Sequence, residues 1–137
     1  MIRVYDLNTG EREAEFNAHC VIRFVAVHPT VPILISCADD GTIKLWNMDE
    51  DYAHKATIKT HHHVVIAFNP KDPRIFAYVA ADNAMKVSTF DATETLATLF
   101  GHEKDVNALA FLPGSGSLLA SGSDDRTIKI WDYQSGK

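Results

Sequence analysis

One short pattern recurs along this chain at a nearly fixed interval. A strand-like run ending in an aromatic and an acid or amide occurs as Ile2-Arg3-Val4-Tyr5-Asp6, Ile43-Lys44-Leu45-Trp46-Asn47 and Ile128-Lys129-Ile130-Trp131-Asp132. A worn copy, Met85-Lys86-Val87-Ser88, falls between the last two, and the four starts lie 41, 42 and 43 residues apart. Three further markers keep the same step: Asp40, Asp82 and Asp125 in the turn before that strand, Pro29, Pro70 and Pro113 after an apolar strand, and His19, His61 and His102 ahead of it. A fixed period of this size signals stacked supersecondary units, none of which can bury its apolar face alone.

Within each period the local pattern is that of β-structure. Phe24–Val27 and Val106–Phe111 read as inner strands, apolar on both faces. Ile33–Ser36 and Leu118–Ser121 follow turns rich in Pro, Gly or Ser. Asp39-Asp40-Gly41 and Asp124-Asp125-Arg126 then reverse the chain into Thr42–Trp46 and Thr127–Trp131, whose Thr, Ile and Trp content suits strands. The lysine of each such strand is expected on the face opposite the Ile and Trp. No segment sustains a helical period, so the fold class is all-β.

A period of forty-odd residues with a Gly-His opening and a Trp-Asp ending resembles the WD repeat, and Gly101-His102 through Trp131-Asp132 carries the pattern most fully. The resemblance implies a β-propeller built of four-stranded blades. The chain is then a partial propeller of about three blades with an unclosed ring, read as two strands, two four-strand units and three strands. The expected division is 2–17 as the end of a preceding blade, 18–60 as a blade, 61–100 as a degenerate blade and 101–137 as an incomplete one. About seven blades at this period would need roughly 300 residues. The chain is therefore expected to be a truncated or decayed copy of a longer protein, marginally stable as a monomer, with strand edges prone to self-association.

His19, Ser36 and Asp40 have the composition of a catalytic triad, and His102, Ser121 and Asp125 repeat it. An enzyme seldom needs two copies of its triad one unit apart, and a buried Trp must donate its N–H to something. The WD resemblance implies structural tetrads instead: His19, Ser36, Asp40 and Trp46 in one blade, and His102, Ser121, Asp125 and Trp131 in another. In the middle unit Tyr78 stands at the Ser position and Ser88 at the Trp position, so that blade is expected to be the weakest. His61-His62-His63 lacks an evident third metal ligand, Asp49-Glu50-Asp51 reads as a solvated loop, and Gly114-Ser115-Gly116-Ser117 lacks the lysine and helix of a phosphate loop. No catalytic residue, metal or cofactor is expected.

Of the 137 residues, 46% are hydrophobic and 23% charged, with a net charge of -5. That balance disfavours nucleic acid and anionic membrane as main partners. No apolar run approaches the roughly 20 residues of a membrane span. Cys20 and Cys37, without a secretion signal, read as reduced thiols in the cytosol.

A narrower resemblance lies in blocks that keep one order along the chain. Ala18-His19, Ile22-Arg23, Ala26-Val27-His28-Pro29-Thr30, Asn69-Pro70-Lys71-Asp72, Gly101-His102-Glu103-Lys104 and Trp131-Asp132-Tyr133-Gln134 are similar to the N-terminal propeller of the coatomer beta-prime family. That resemblance implies a non-catalytic scaffold of the COPI vesicle coat, acting in Golgi-to-ER and intra-Golgi transport. It implies other coatomer subunits and C-terminal dilysine cargo tails as partners, and a cytoplasmic location, peripheral on Golgi membranes and COPI-coated vesicles. Asp39, Asp124 and Arg23 are the matched positions for dilysine contact. Cys20-Val21 replaces a longer family stretch, and the basic segment expected upstream is missing, so part of the peptide contact is expected to be lost. The alternative is another WD-repeat adaptor, such as a ubiquitin-ligase substrate receptor or signalling scaffold.

Overall fold

A computed structural model describes residues 1–18, 20–60, 65–90 and 95–136. Thirteen strands follow one another among the described residues: β1 (Ile2–Tyr5), β2 (Arg12–Phe16), β3 (Ile22–Val27), β4 (Ile33–Ala38), β5 (Thr42–Asn47), β6 (Ala53–Lys59), β7 (Ile66–Phe68), β8 (Ile75–Val79), β9 (Met85–Thr89), β10 (Thr95–Leu99), β11 (Val106–Phe111), β12 (Leu118–Ser123) and β13 (Ile128–Asp132). The helical elements among the described residues are single 3-10 turns at Met48–Glu50 and Ala81–Asn83. The first falls on the acidic run Asp49-Glu50-Asp51, expected to be a loop; Asn47 caps it through Asp49 N–H at 3.2 Å.

The strands form four antiparallel sheets, β1–β2, β3–β4–β5–β6, β7–β8–β9–β10 and β11–β12–β13, each in sequence order. This is the all-β, partial propeller that the repeat predicts, with two, four, four and three strands. Tight turns make the order possible. Gly41, Asn83 and Arg126 occupy the same turn position, and all three adopt left-handed φ, at 74°, 58° and 69°. Gly and Asn tolerate that conformation, whereas Arg carries a steric penalty there.

At the seams after the second and third sheets, the third strand of one sheet points an apolar pair at the aromatic face of the next. Ile43 and Leu45 are fully buried against Phe76 and Tyr78 of the third sheet. Met85 and Val87 pack with Leu119 and Trp131 of the fourth, and Ile2 packs with Leu34 and Trp46 of the second. Burying such a side chain contributes about 1.5–3 kcal/mol. The equivalent pair on the last sheet, Ile128 and Ile130, stays 80% and 54% exposed. On the far side of the first sheet, alternation places Arg3 and Glu15, a cross-strand pair joined at 2.8 Å, with Arg12 on the same carboxylate.

Two expectations need correction. Lys44 and Lys129 lie on the Trp side of their strands, not opposite it. Residues 44 and 46, like 129 and 131, share parity, so strand alternation puts lysine and tryptophan on one face. Lys129 Nζ sits 6.0 Å from the centre of the Trp131 ring. The ammonium groups are satisfied by main-chain carbonyls, Lys44 donating to Ala18 at 2.9 Å and Lys129 to Gly101 at 2.6 Å. The inner strand β3 is likewise not buried on both faces: Phe24, Val25 and Val27 are all exposed. Val25 and Val27 line an open groove with Ile2, Val4 and Leu34, beside the two-stranded first sheet.

Candidate functional site

In the fourth sheet the polar residues singled out in the sequence meet in one chain. Trp131 on β13 donates its indole N–H to Ser121 Oγ on β12 at 2.8 Å. Ser121 Oγ lies 2.6 Å from His102 Nε2, and His102 Nδ1 lies 2.7 Å from Asp125 Oδ2. Proton accounting orients the series. An ionised Asp125 only accepts, so Nδ1 of His102 donates to it, and Nε2 shares a hydrogen bond with the serine hydroxyl. Asp125 also accepts from Thr127 Oγ1 at 2.6 Å, Thr127 N–H at 2.8 Å and Glu103 N–H at 3.2 Å. Those donors, the Thr127 hydroxyl first and His102 after it, hold its carboxyl well below the usual carboxylate range.

The serine of this arrangement is closed off from any substrate. Ser121 is 2% exposed, its oxygen already accepts from an indole, and Trp131 closes over the opening glycine. A Cβ added to Gly101 would stand 2.9 Å from Trp131 Cη2, which is why the unit opens on glycine.

The second sheet repeats the Ser–Trp half, with Trp46 donating to Ser36 at 2.9 Å. His19 lies outside the described residues, as do His61, His62 and His63. Asp40 accepts from Thr42 N–H at 3.0 Å and Thr42 Oγ1 at 2.6 Å, and in addition from the Cys20 thiol at 2.7 Å. The thiol bond is the leading cause of its lowered carboxyl titration. Sequence reasoning missed Cys20, and it also passed over the threonine two residues after each aspartate, although Asp-x-Thr at 40–42 and 125–127 is plain to see.

The third sheet exchanges the pair. Tyr78 on β8 takes the place of serine and Ser88 on β9 that of tryptophan, so the large ring and the small hydroxyl swap strands. Ser88 Oγ is buried and makes no well-formed hydrogen bond, its polar neighbour being the loosely placed Tyr78 hydroxyl. Apolar contact replaces the polar chain: Phe76 stacks on Phe90 with centroids 4.6 Å apart and planes 5° apart, and Tyr78 stacks on Phe76 at 5.6 Å.

The rim residues Asp39 and Asp124 precede the buried-chain aspartates at equivalent turns. Asp39 forms an ion pair with Arg23, so two of the three residues expected to face a ligand face each other. Asp124 accepts from the Asn107 amide at 2.6 Å. Arg23 and Asn107 reach the acids because the register of β3 slips between Ile22 and Phe24, and that of β11 between Val106 and Ala108. Each is the extra residue of a β-bulge, a device that re-aims a side chain. A neutral amide leaves the Asp124 charge uncompensated, while Arg23 neutralises Asp39. Among the described residues no cluster of His, Cys, Asp and Glu is placed to hold a metal.

The family model for the WD domain, G-beta repeat, matches residues 10–47 and 93–132. This chain belongs to the WD-repeat family. The matched segments end at Asn47 and Asp132, directly after Trp46 and Trp131, and the interval between them contains Tyr78 and Ser88. Among curated relatives, nuclear distribution protein PAC1 of Candida dubliniensis is 28% identical over 131 residues, covering 93% of this chain and 27% of that protein. PAC1 of Arthroderma benhamiae is 34% identical over 126 residues, covering 84% of this chain and 27% of its own length. Coatomer subunit beta'-2 of Arabidopsis thaliana is 41% identical over 92 residues, 65% of this chain and 10% of the relative. The WD-repeat chain thus spans about a quarter of the PAC1 proteins and a tenth of the coatomer subunit.

Proposed function

We propose that this WD-repeat chain is a non-catalytic protein-interaction module of the coatomer beta-prime type, serving vesicle-coat assembly and dilysine cargo recognition. The observation that carries the reading is the 41% identity to a coatomer beta-prime subunit, well above the 28–34% shared with the PAC1 proteins. In this reading residues 2–17, 18–60, 61–100 and 101–137 are successive blades, and the chain works in the cytoplasm, peripheral to Golgi membranes and COPI-coated vesicles. Asp124 is the acid best suited to a cargo lysine, since its partner is neutral; a lysine at Asp39 must displace Arg23.

The test is retention of the chain on an immobilised peptide ending in Lys-Lys-x-x against a Ser-Ser-x-x control. Selective retention that is lost in Asp124→Asn supports the proposal, and equal retention on both peptides overturns direct cargo reading. A second reading, an adaptor of the nuclear-distribution type, is favoured by the longer match to PAC1, 93% of the chain against 65%. Co-precipitation of coatomer subunits with the tagged chain from a cell extract separates the two.

A further inference from the structure

His28 follows β3 and is 4% exposed. Its Nδ1 accepts two main-chain hydrogen bonds, from Thr30 N–H and Val31 N–H, each at 3.1 Å. That nitrogen must carry its lone pair, so the ring proton is on Nε2, which is buried with no hydrogen-bond partner. The ring stands edge-on to two aromatics of the third sheet, Phe68 at 4.9 Å and Phe90 at 5.9 Å.

The next unit shows what this position does. Asn69, 41 residues on, accepts from Lys71 N–H at 2.8 Å and Asp72 N–H at 3.1 Å. Its amide then crosses the following seam to Gly116 O at 2.7 Å. His28 and Asn69 are thus the same turn-closing, seam-spanning device, once with a group that titrates and once with a group that does not.

We propose that His28 is a proton-sensitive latch on the seam between the second and third sheets, engaged while the ring is neutral and released when Nδ1 takes up a proton. Protonation turns the shared acceptor into a donor, strands two backbone N–H groups and places a cation against Phe68 and Phe90. The charged groups bordering this seam are Lys55 and Arg74, which line a groove with Val31 and Phe90, and Asp72, which is paired with Arg74 at 2.9 Å. Burial is the cause that holds the imidazole below its ordinary titration.

The sign follows from linkage. A histidine held low in the folded state adds nothing to pH dependence above its ordinary value of 6.5. As pH falls below that value the unfolded chain binds a proton that the folded chain refuses, and stability is lost. At pH 5.5 the unfolding equilibrium constant rises by up to about tenfold from this one group.

The test compares the whole chain with His28→Asn, which preserves the acceptor as Asn69 does. Denaturant unfolding at pH 7.5 and 5.5 reads out the difference, so that the contribution of the other histidines cancels. Acidification is expected to raise the unfolding constant more in the wild type, by up to about tenfold. Amide exchange at Thr30 and Val31 is expected to accelerate in the wild type alone. Equal acid loss in the two proteins overturns the latch. Should the variant fail to fold, the nitrogen shifts of His28 in the wild type decide: a ring with its proton on Nδ1, or one titrating at its ordinary value, overturns it equally.

Discussion

Trp131 reaches Ser121 from the neighbouring strand, its indole nitrogen 2.8 Å from the hydroxyl oxygen, and Trp46 stands in the same relation to Ser36 at 2.9 Å. Between these two sheets lies one in which the hydroxyl, Ser88, makes no well-formed hydrogen bond among the described residues. Serine therefore plays opposite parts in adjacent sheets, and opposite substitution effects follow.

Ser121→Ala leaves the Trp131 N–H and His102 Nε2 without a partner in a buried setting. A loss of about 1–3 kcal/mol in unfolding free energy is expected. Ser88→Ala removes an oxygen whose contact with the Tyr78 hydroxyl is loose, and is expected to be neutral or to stabilise by up to about 1 kcal/mol. Urea titrations of the two variants check both values, and a large loss in Ser88→Ala would contradict so loose a contact.

Arg126 occupies the left-handed turn position that Gly41 fills two units earlier, at φ 69° against 74°. Arg126→Gly removes a side-chain clash without touching the hydrogen bond from N–H of residue 126 to Ser123 O at 3.1 Å. It is expected to stabilise the chain by about 0.5–1 kcal/mol, and Gly41→Ala to destabilise it by a similar amount. Paired melting curves measure this.

Gly101→Val forces a side chain into the 2.9 Å approach of Trp131. Overpacking at such a contact costs about 1–3 kcal/mol. Tryptophan fluorescence, read in a Trp46→Phe background so that Trp131 alone emits, is expected to shift in this variant and to stay unchanged in Gly10→Val, where no atom lies within 4 Å.

Asp125 and Asp40 both titrate below the ordinary carboxylate value of 3.8. Carboxylates held low contribute stability that is complete above their unfolded value and is lost as pH falls through it towards the folded one. A second acid step is therefore expected below about pH 4, distinct from any histidine step at pH 5–7. Asp125→Asn is expected to shrink the lower step in a midpoint-versus-pH series and to leave the upper one in place.

Much of this architecture is legible before any coordinates, because strand alternation and turn chemistry act locally. The 41–43-residue step sets the number of units, and the strand tally of two, four, four and three follows from the four-stranded blade that the WD resemblance implies. The side taken by Lys44 and Lys129 was equally legible from parity, and the expectation that they opposed the tryptophans ignored it. Other features depend on contacts between distant segments. Arg23 reaches Asp39 only through a slipped register, and nothing in the residues 22–24 announces a bulge. Cys20 binds Asp40 although thiols have no part in the repeat pattern. The stack of Phe76 and Phe90 joins a strand to the turn beyond its neighbour, so no single window of sequence contains it.

The two ends of the stack differ in kind. Arg3, Glu15 and Arg12 present hydrated charge on one terminal sheet, while Ile128 and Ile130 present bare hydrocarbon on the other. Whatever is added beside β13, whether more of the same polypeptide or another protein, gains free energy by taking Ile128 and Ile130 out of water, whereas a neighbour on the charged face of β1 and β2 must first strip hydrated ions.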